Sequence, residues 1–186
     1  MNHPAELALH QYLRNAIDGK SEMSQDIIDK IKEDIGEALD KQFNTSNDKQ
    51  EFKLRMSNIG RPKCQLWFEK NDPDHQEPLP TSFKVNMIFG DMVEALLKGL
   101  LRASGVQFGD NEKVSLPLNE KEELSGEYDM LLDDKIDDVK SASAWSYENK
   151  FVDFYTLESS DTFGYVPQLD RDWETYHTHQ KVLLFR

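Results

Sequence analysis

The spacing of the apolar residues changes at Gly105, from the period of a helix to that of a strand. Residues 84–103 place apolar side chains at the i, i+3, i+4, i+7 and i+8 positions that turn one helix face toward a core: Val93, Leu96, Leu97, Leu100 and Leu101. After Gly105 the pattern predicts strands at Lys113–Leu118, Leu124–Leu132 and Lys135–Ser141. Because both periods occur within 186 residues, we expect one α/β domain in which a short mixed sheet is flanked by helices.

The part of the chain before residue 49 is predicted to form a helical arm. Helices are expected at residues 4–17 and 24–43, with Ser24 as the N-cap of the second. Apolar residues step by four along that second helix, at Ile27, Ile31, Ile35, Leu39 and Phe43. The polar residues 44–50 then predict a linker, so residues 1–48 are interpreted as an N-terminal arm.

The charge balance and the cysteine count exclude several classes of protein. A net charge of −13 excludes a generally basic protein that coats nucleic acid and a polybasic membrane binder. The single cysteine, Cys64, excludes an internal disulfide framework and is expected to be a small buried side chain. No apolar run approaches the roughly 20 residues of a membrane helix, and no signal peptide is visible. We therefore expect a cytoplasmic protein without a membrane partner.

Residues 52–70 reverse the overall charge, since only Glu69 is acidic there and five residues are basic: Lys53, Arg55, Arg61, Lys63 and Lys70. Gly60 suits a turn, and Pro62 suits the first turn of a short helix. Trp67 and Phe68, like Trp145, are expected to pack in the core rather than to serve as platforms for stacked bases.

An acidic residue followed two positions later by lysine occurs several times, including Glu51-x-Lys53, Asp133-x-Lys135, Asp138-x-Lys140 and Glu148-x-Lys150. The strand register favours the third of these. If Asp133 and Asp134 form a two-residue hairpin turn, Leu132 faces Lys135 and Asp129 lies opposite Asp138, with Cβ atoms about 4.5–5.5 Å apart. Alternation places Lys140 on the same face as Asp138. Two opposed carboxylates repel each other, and a divalent cation such as Mg2+ would compensate.

Each of these residues also has a simpler interpretation. Asp129 and Asp138 could be solvated carboxylates on an exposed hairpin, with Lys140 merely neutralising them. Glu94 lies at the border of its helix stripe, where surface residues are common. His177-x-His179 is interpreted as a surface pair rather than as a zinc site, because its spacing does not suit one helix face.

Together these segments resemble the PD-(D/E)XK nuclease superfamily, and within it the RecB-like exonucleases of phages, CRISPR systems and mitochondrial genome maintenance. The resemblance lies in five segments in the same order: Ser57-x-x-Gly60-x-Pro62-x-Cys64, Gly90-x-x-Val93-Glu94, Gly126-Glu127-Tyr128-Asp129, Asp138-Val139-Lys140-Ser141 and Gly164-Tyr165-x-Pro167-Gln168-Leu169. It implies a restriction-endonuclease-like core over residues 49–169, with residues 170–186 as a divergent or truncated C-terminal tail.

The resemblance also implies roles for individual residues. Asp129 and Asp138 would hold Mg2+ or Mn2+ with the Val139 carbonyl, and Glu94 would occupy a further ligand position. Lys140 would orient the attacking water and stabilise the charged phosphate. The residues expected to contact DNA are Ser57, Arg61, Lys63 and Gln168.

Two features depart from the family pattern. Relatives with an iron–sulfur cluster need four cysteines, so no such cluster is expected here. The tyrosine that usually follows the glutamine motif is replaced by Asp172. The sequence thus predicts a Mg2+-dependent DNA exonuclease acting at free ends in phage or bacterial replication or recombination. The alternatives are an inactive nuclease fold that binds DNA, and an acidic assembly or binding protein that is not an enzyme.

Overall fold

The computed structural model describes residues 3–44, 52–58, 61–75, 77–120, 122–141, 144–150, 152–160 and 181–185. The chain forms two compact units, one from Met1–Asn47 with Pro80–Phe108 and the other from Asp48–Leu79 with Gly109–Arg186. Within the described ranges, no helix combines the length and the apolar character that a membrane span requires.

In chain order, the helices and strands of the described residues are α1 (Pro4–Ile17), α2 (Gln25–Phe43), α3 (Lys63–Asn71), α4 (Thr81–Ala103), β1 (Glu112–Pro117), β2 (Glu123–Tyr128), β3 (Met130–Leu132), β4 (Lys135–Ser141), α5 (Ala144–Asn149), α6 (Phe154–Ser160) and β5 (Lys181–Phe185). Short 3-10 turns lie at Met56–Asn58 and Pro73–His75. This mixture of helices and strands confirms the α/β class.

The first unit contains α1, α2 and α4, so α4 groups with the helices of the predicted N-terminal arm. The helices α2 and α4 run in opposite directions, since Ile31 lies against Gly99 and Gln42 donates to Asp91 at 2.6 Å. A Cβ atom at position 99 would collide with the Ile31 side chain, so the absent side chain of Gly99 allows the two helices to approach closely. Ser24 caps α2 as predicted, through a hydrogen bond from the Ile27 N–H.

The prediction of the core face of α4 is wrong in part. Leu96 is 47% exposed, whereas the buried residues are Ala95, Leu97, Lys98, Gly99 and Leu101. The helix therefore turns a face with small residues toward its neighbour, and the leucine-rich stripe is only partly covered. In α2, Leu39 and Phe43 are also exposed. A step of four residues overshoots one helical turn by about 40°, so such a stripe rotates away from a fixed partner.

The second unit contains two small sheets. Strands β1 and β2 pair in antiparallel fashion, and β3, β4 and β5 form a three-stranded sheet in that order. The pairing of β3 with β4 is antiparallel and that of β4 with β5 is parallel. The three-stranded sheet is thus mixed, and β4 is its central strand. Strand β5 lies inside the segment interpreted as a C-terminal tail.

A small apolar core joins the two sheets to the turn before α3. It consists of Met56, Val114, Leu124, Tyr128 and Ile136, with Leu54, Leu116 and Leu131 packed around it. Met56 lies against Gly126, where a Cβ atom would stand 2.5 Å from the Met56 sulfur. Gly126 therefore makes room for a fully buried side chain beneath β2.

Several aromatic and polar predictions in this unit are wrong. Trp67, Phe68 and Trp145 are 58%, 55% and 63% exposed, and Cys64 is also exposed. For Trp67, Phe68 and Cys64 the reason is that α3 buries none of its residues, so its side chains have no apolar layer to enter. Pro62 is the N-cap of α3 and does not lie in its first turn. The helix expected to begin in residues 163–168 lies outside the described residues.

Candidate active site

The hairpin that carries the predicted site has the expected turn and register. Asp133 and Asp134 have φ values of 52° and 58°, as a type I′ turn requires at both positions. Leu132 pairs with Lys135, and Met130 pairs with Asp137. The predicted register is therefore confirmed up to the last pair before Asp129.

Asp129 does not continue the strand. It lies in a bend between β2 and β3, so the predicted continuous strand Leu124–Leu132 is wrong and the ladder ends one pair short of Asp129 and Asp138. The half-buried Asp129 instead accepts a hydrogen bond from the Val139 N–H at Oδ2, with an N–O distance of 2.6 Å. A carboxylate is thereby fixed against β4 at the residue between Asp138 and Lys140.

Strand β4 runs without interruption through the acidic-x-lysine motif. Asp138 pairs with Val182, Val139 with Leu183, and Lys140 with Leu184 of β5. Val139 is 9% exposed, and this part of β4 pairs with β5, whereas the ladder between β3 and β4 ends at Asp137. The side chains of Asp138 and Lys140 lie outside the described part of the structure, so their coordination and substrate contacts stay predictions.

Glu94 lies on α4 in the first unit and has a basic partner. Its Oε1 is 2.7 Å from Nζ of Lys98, and the Lys98 side chain is only 7% exposed. Sequence reasoning missed Lys98, because a lysine within a leucine-rich stretch gives no sign that it is buried. The pair gives Glu94 a structural role, because its carboxylate neutralises a buried ammonium group. If Glu94 also bound a metal ion, the same carboxylate would have to serve both partners.

We expect Glu94→Gln to destabilise the first unit by about 2 kcal/mol or more, because the buried Lys98 ammonium loses its counter-charge. Adding Lys98→Met should restore most of the lost stability. Chemical denaturation measures both effects, and Glu33→Gln is the control, since it removes an exposed partner of Lys30 in the same unit. A Glu94→Gln protein of unchanged stability that has lost nuclease activity would instead support the ligand role.

The residues expected to contact DNA lie in different surroundings. Ser57 is exposed in the 3-10 turn, and Lys63 begins α3 with an exposed side chain. Arg61 lies 3.4 Å from Glu69, which also accepts from Gln65. Gln168 lies outside the described residues. Among the described residues, Lys63 forms no ion pair with a carboxylate, whereas Arg61 does.

Two carboxylates of the second unit were missed by sequence reasoning. Asp137 is 3% exposed on β4, next to the buried Ile136. Asp153 accepts from the Thr156 N–H at the start of α6, and this backbone hydrogen bond lowers the pKa of its carboxyl. Asp153 is thus a helix cap, which the Asp-x-x-Thr spacing could have indicated.

No protein-family model, curated protein or solved structure matches this chain. Within the described ranges, no group of three or more His, Cys, Asp or Glu side chains is arranged to hold a metal ion. The Asp138 side chain is not among those described residues, so the site is defined here by Asp129 and the backbone of β4.

Proposed function

We propose that this chain is a Mg2+-dependent deoxyribonuclease that hydrolyses DNA from a free end. The observation that supports it is the 2.6 Å hydrogen bond from the Val139 N–H to Asp129 Oδ2. This contact brings a carboxylate to the middle of the Asp138-Val139-Lys140 motif, which is the juxtaposition expected of a PD-(D/E)XK nuclease. A restriction-endonuclease-like core around this hairpin is part of the proposal.

The oxygen donors near the bend suit a hard divalent cation. Carboxylate and carbonyl oxygens are the ligands that Mg2+ and Mn2+ prefer, and Asp129, Asp138 and the Val139 carbonyl would provide them. The backbone hydrogen bond to Asp129 fixes the orientation of that carboxylate, as outer contacts do for metal ligands. When bound, the cation supplies positive charge that activates a water molecule and neutralises the phosphate.

The remaining chemistry comes from the side chains of the motif. The Lys140 ammonium holds the attacking water and stabilises the negative charge that develops on the phosphate oxygens. Gln168 contacts the DNA strand or supports Lys140. The cytoplasm of a bacterial or phage-infected cell is the proposed setting.

A second candidate is a nuclease-fold protein that binds DNA without cutting it. The observation that favours it is the ion pair of Glu94 with buried Lys98, because a carboxylate engaged in this way is a poorer ligand for a cation.

The two candidates are separated by incubating the protein with linear duplex DNA and with the same DNA as a closed circle. We expect Mg2+ to release nucleotides from the linear form only, and EDTA to prevent it. Protein that binds linear DNA but releases no nucleotides with Mg2+ or Mn2+ would support the second candidate.

A further inference from the structure

A groove lies between α3 and the β1–β2 hairpin within the second unit. Its volume is about 790 Å3, in the range of sites for small molecules. The residues that give it chemical character are Phe52, Lys53, Lys63, Trp67, Lys70 and Glu122. Asp129 and Val139 are not among the described residues that line it.

One face of α3 forms a wall of the groove, and this face alternates basic and aromatic side chains. Lys63, Trp67 and Lys70 all line the groove. With about 100° of rotation per residue, these positions fall within about 60° of one another. The Cα atoms of the two lysines are two turns apart, or about 10.5 Å, with the indole ring of Trp67 between them.

The Trp67 ring is exposed and contacts the ring of its neighbour Phe68. It is 58% exposed, although an indole ring usually finds apolar cover. The adjacent Phe68 ring meets it edge to face, with centroids 5.1 Å apart and an interplanar angle of 87°. An exposed indole ring offers a flat surface on which another ring can stack.

The opposite wall is acidic and restricts what can bind. Glu120, Glu122 and Glu123 line it, and Glu122 lies 3.9 Å from Lys70. A ligand with negative charge would therefore follow the α3 wall and avoid the hairpin. A ligand that combines a flat ring with negative charge on both sides matches this arrangement.

We propose that the groove binds single-stranded DNA, with one unpaired base stacked on Trp67 and its two flanking phosphates beside Lys63 and Lys70. Aromatic side chains interleaved with basic ones bind single strands in this manner, because every base has a face that can stack. A paired base inside a duplex would not expose its face to Trp67. The inference rests on the proposed function, and it assigns to that function DNA in which a strand is unpaired at the free end.

The test is fluorescence anisotropy with a labelled oligothymidylate of about 12 nucleotides, in EDTA so that no hydrolysis occurs. Trp67→Ala should weaken binding by about tenfold or more, and Trp67→Phe should weaken it by less than about threefold, because a phenyl ring still stacks. Replacing both Lys63 and Lys70 with glutamine should reduce the slope of log affinity against log salt by about 0.7 for each lost phosphate contact.

The matched control is Trp145→Ala, because Trp145 is an equally exposed tryptophan of the same unit that does not line the groove. It should leave the affinity unchanged. The proposal fails if Trp67→Ala has no effect, if Trp145→Ala weakens binding as much, or if Trp67→Ala weakens binding to a blunt duplex equally. Because EDTA prevents hydrolysis, these outcomes are independent of whether the protein cuts DNA, so the nuclease proposal can fail while the groove still binds single strands.

Discussion

Asp138→Asn is expected to slow Mg2+-dependent DNA hydrolysis by about 100-fold or more, while the fold survives. The asparagine keeps the size of the side chain but removes the negative charge that would hold the cation, and electrostatic stabilisation of the reacting phosphate is lost with it. The measurement is the initial rate of nucleotide release from linear DNA at saturating Mg2+, with circular dichroism to show that the fold is retained.

The control for this experiment comes from the same hairpin. Asp134→Asn removes an equal charge from the turn, where asparagine tolerates the φ of 58°. It should leave the rate within about twofold of the parent protein, because a distant surface charge contributes little. An Asp138→Asn protein that digests DNA as fast as the parent would contradict the assignment of the active site.

Substitutions at Asp129 distinguish its proposed role as a metal ligand from its role as the acceptor of the Val139 N–H. Asp129→Asn keeps an oxygen that can accept the Val139 N–H, so it should lose activity and keep stability. Asp129→Ala removes the acceptor as well and should cost roughly 1.5–3 kcal/mol of stability relative to the parent, the value of a hydrogen bond to a charged group. Lys140→Ala should abolish turnover but leave cation binding intact, which titration calorimetry would show.

The hairpin register could be predicted from the sequence because it depends on local chemistry. A two-residue turn with Asp133 and Asp134 at positive φ fixes which residues face each other, and no distant partner is needed. The helix α2 was predicted for the same reason, since its Ser24 cap and its apolar step of four residues are local features of the sequence. What the register could not show is that Asp129 leaves the strand to contact the backbone of β4.

The features that could not be predicted depend on which elements pack against each other. The burial of Lys98 and the close approach at Gly99 follow from the packing of α2 on α4, and periodicity within α4 alone favoured its leucines. Trp67 was assigned to the core because aromatic residues are usually buried, yet α3 has no apolar layer on its exposed side. The parallel partner of β4 is more than 40 residues distant in the chain, and no local pattern specifies such a pairing.

Divalent cations are expected to stabilise the protein, and the effect should depend on Asp138. In the proposed site the carboxylates of Asp129 and Asp138 repel each other, and a cation that binds only the folded state relieves this by mass action. At a Mg2+ concentration 100 times the Kd, the gain would be about 2.7 kcal/mol. For a chain of this length each kcal/mol raises the Tm by about 2–4 °C, so the expected shift is about 5–11 °C.

Thermal unfolding of the parent protein and of Asp138→Asn, first with EDTA and then with Mg2+ or Mn2+, measures this effect. The Tm of the parent should rise with the cation, and that of Asp138→Asn should rise much less. With EDTA, Asp138→Asn should be at least as stable as the parent, because one of the repelling charges is gone. Asp134→Asn should show the full shift of the parent. Equal shifts in the parent and in Asp138→Asn would mean that the cation binds elsewhere among the 35 acidic residues, and the hairpin would then not be the metal site.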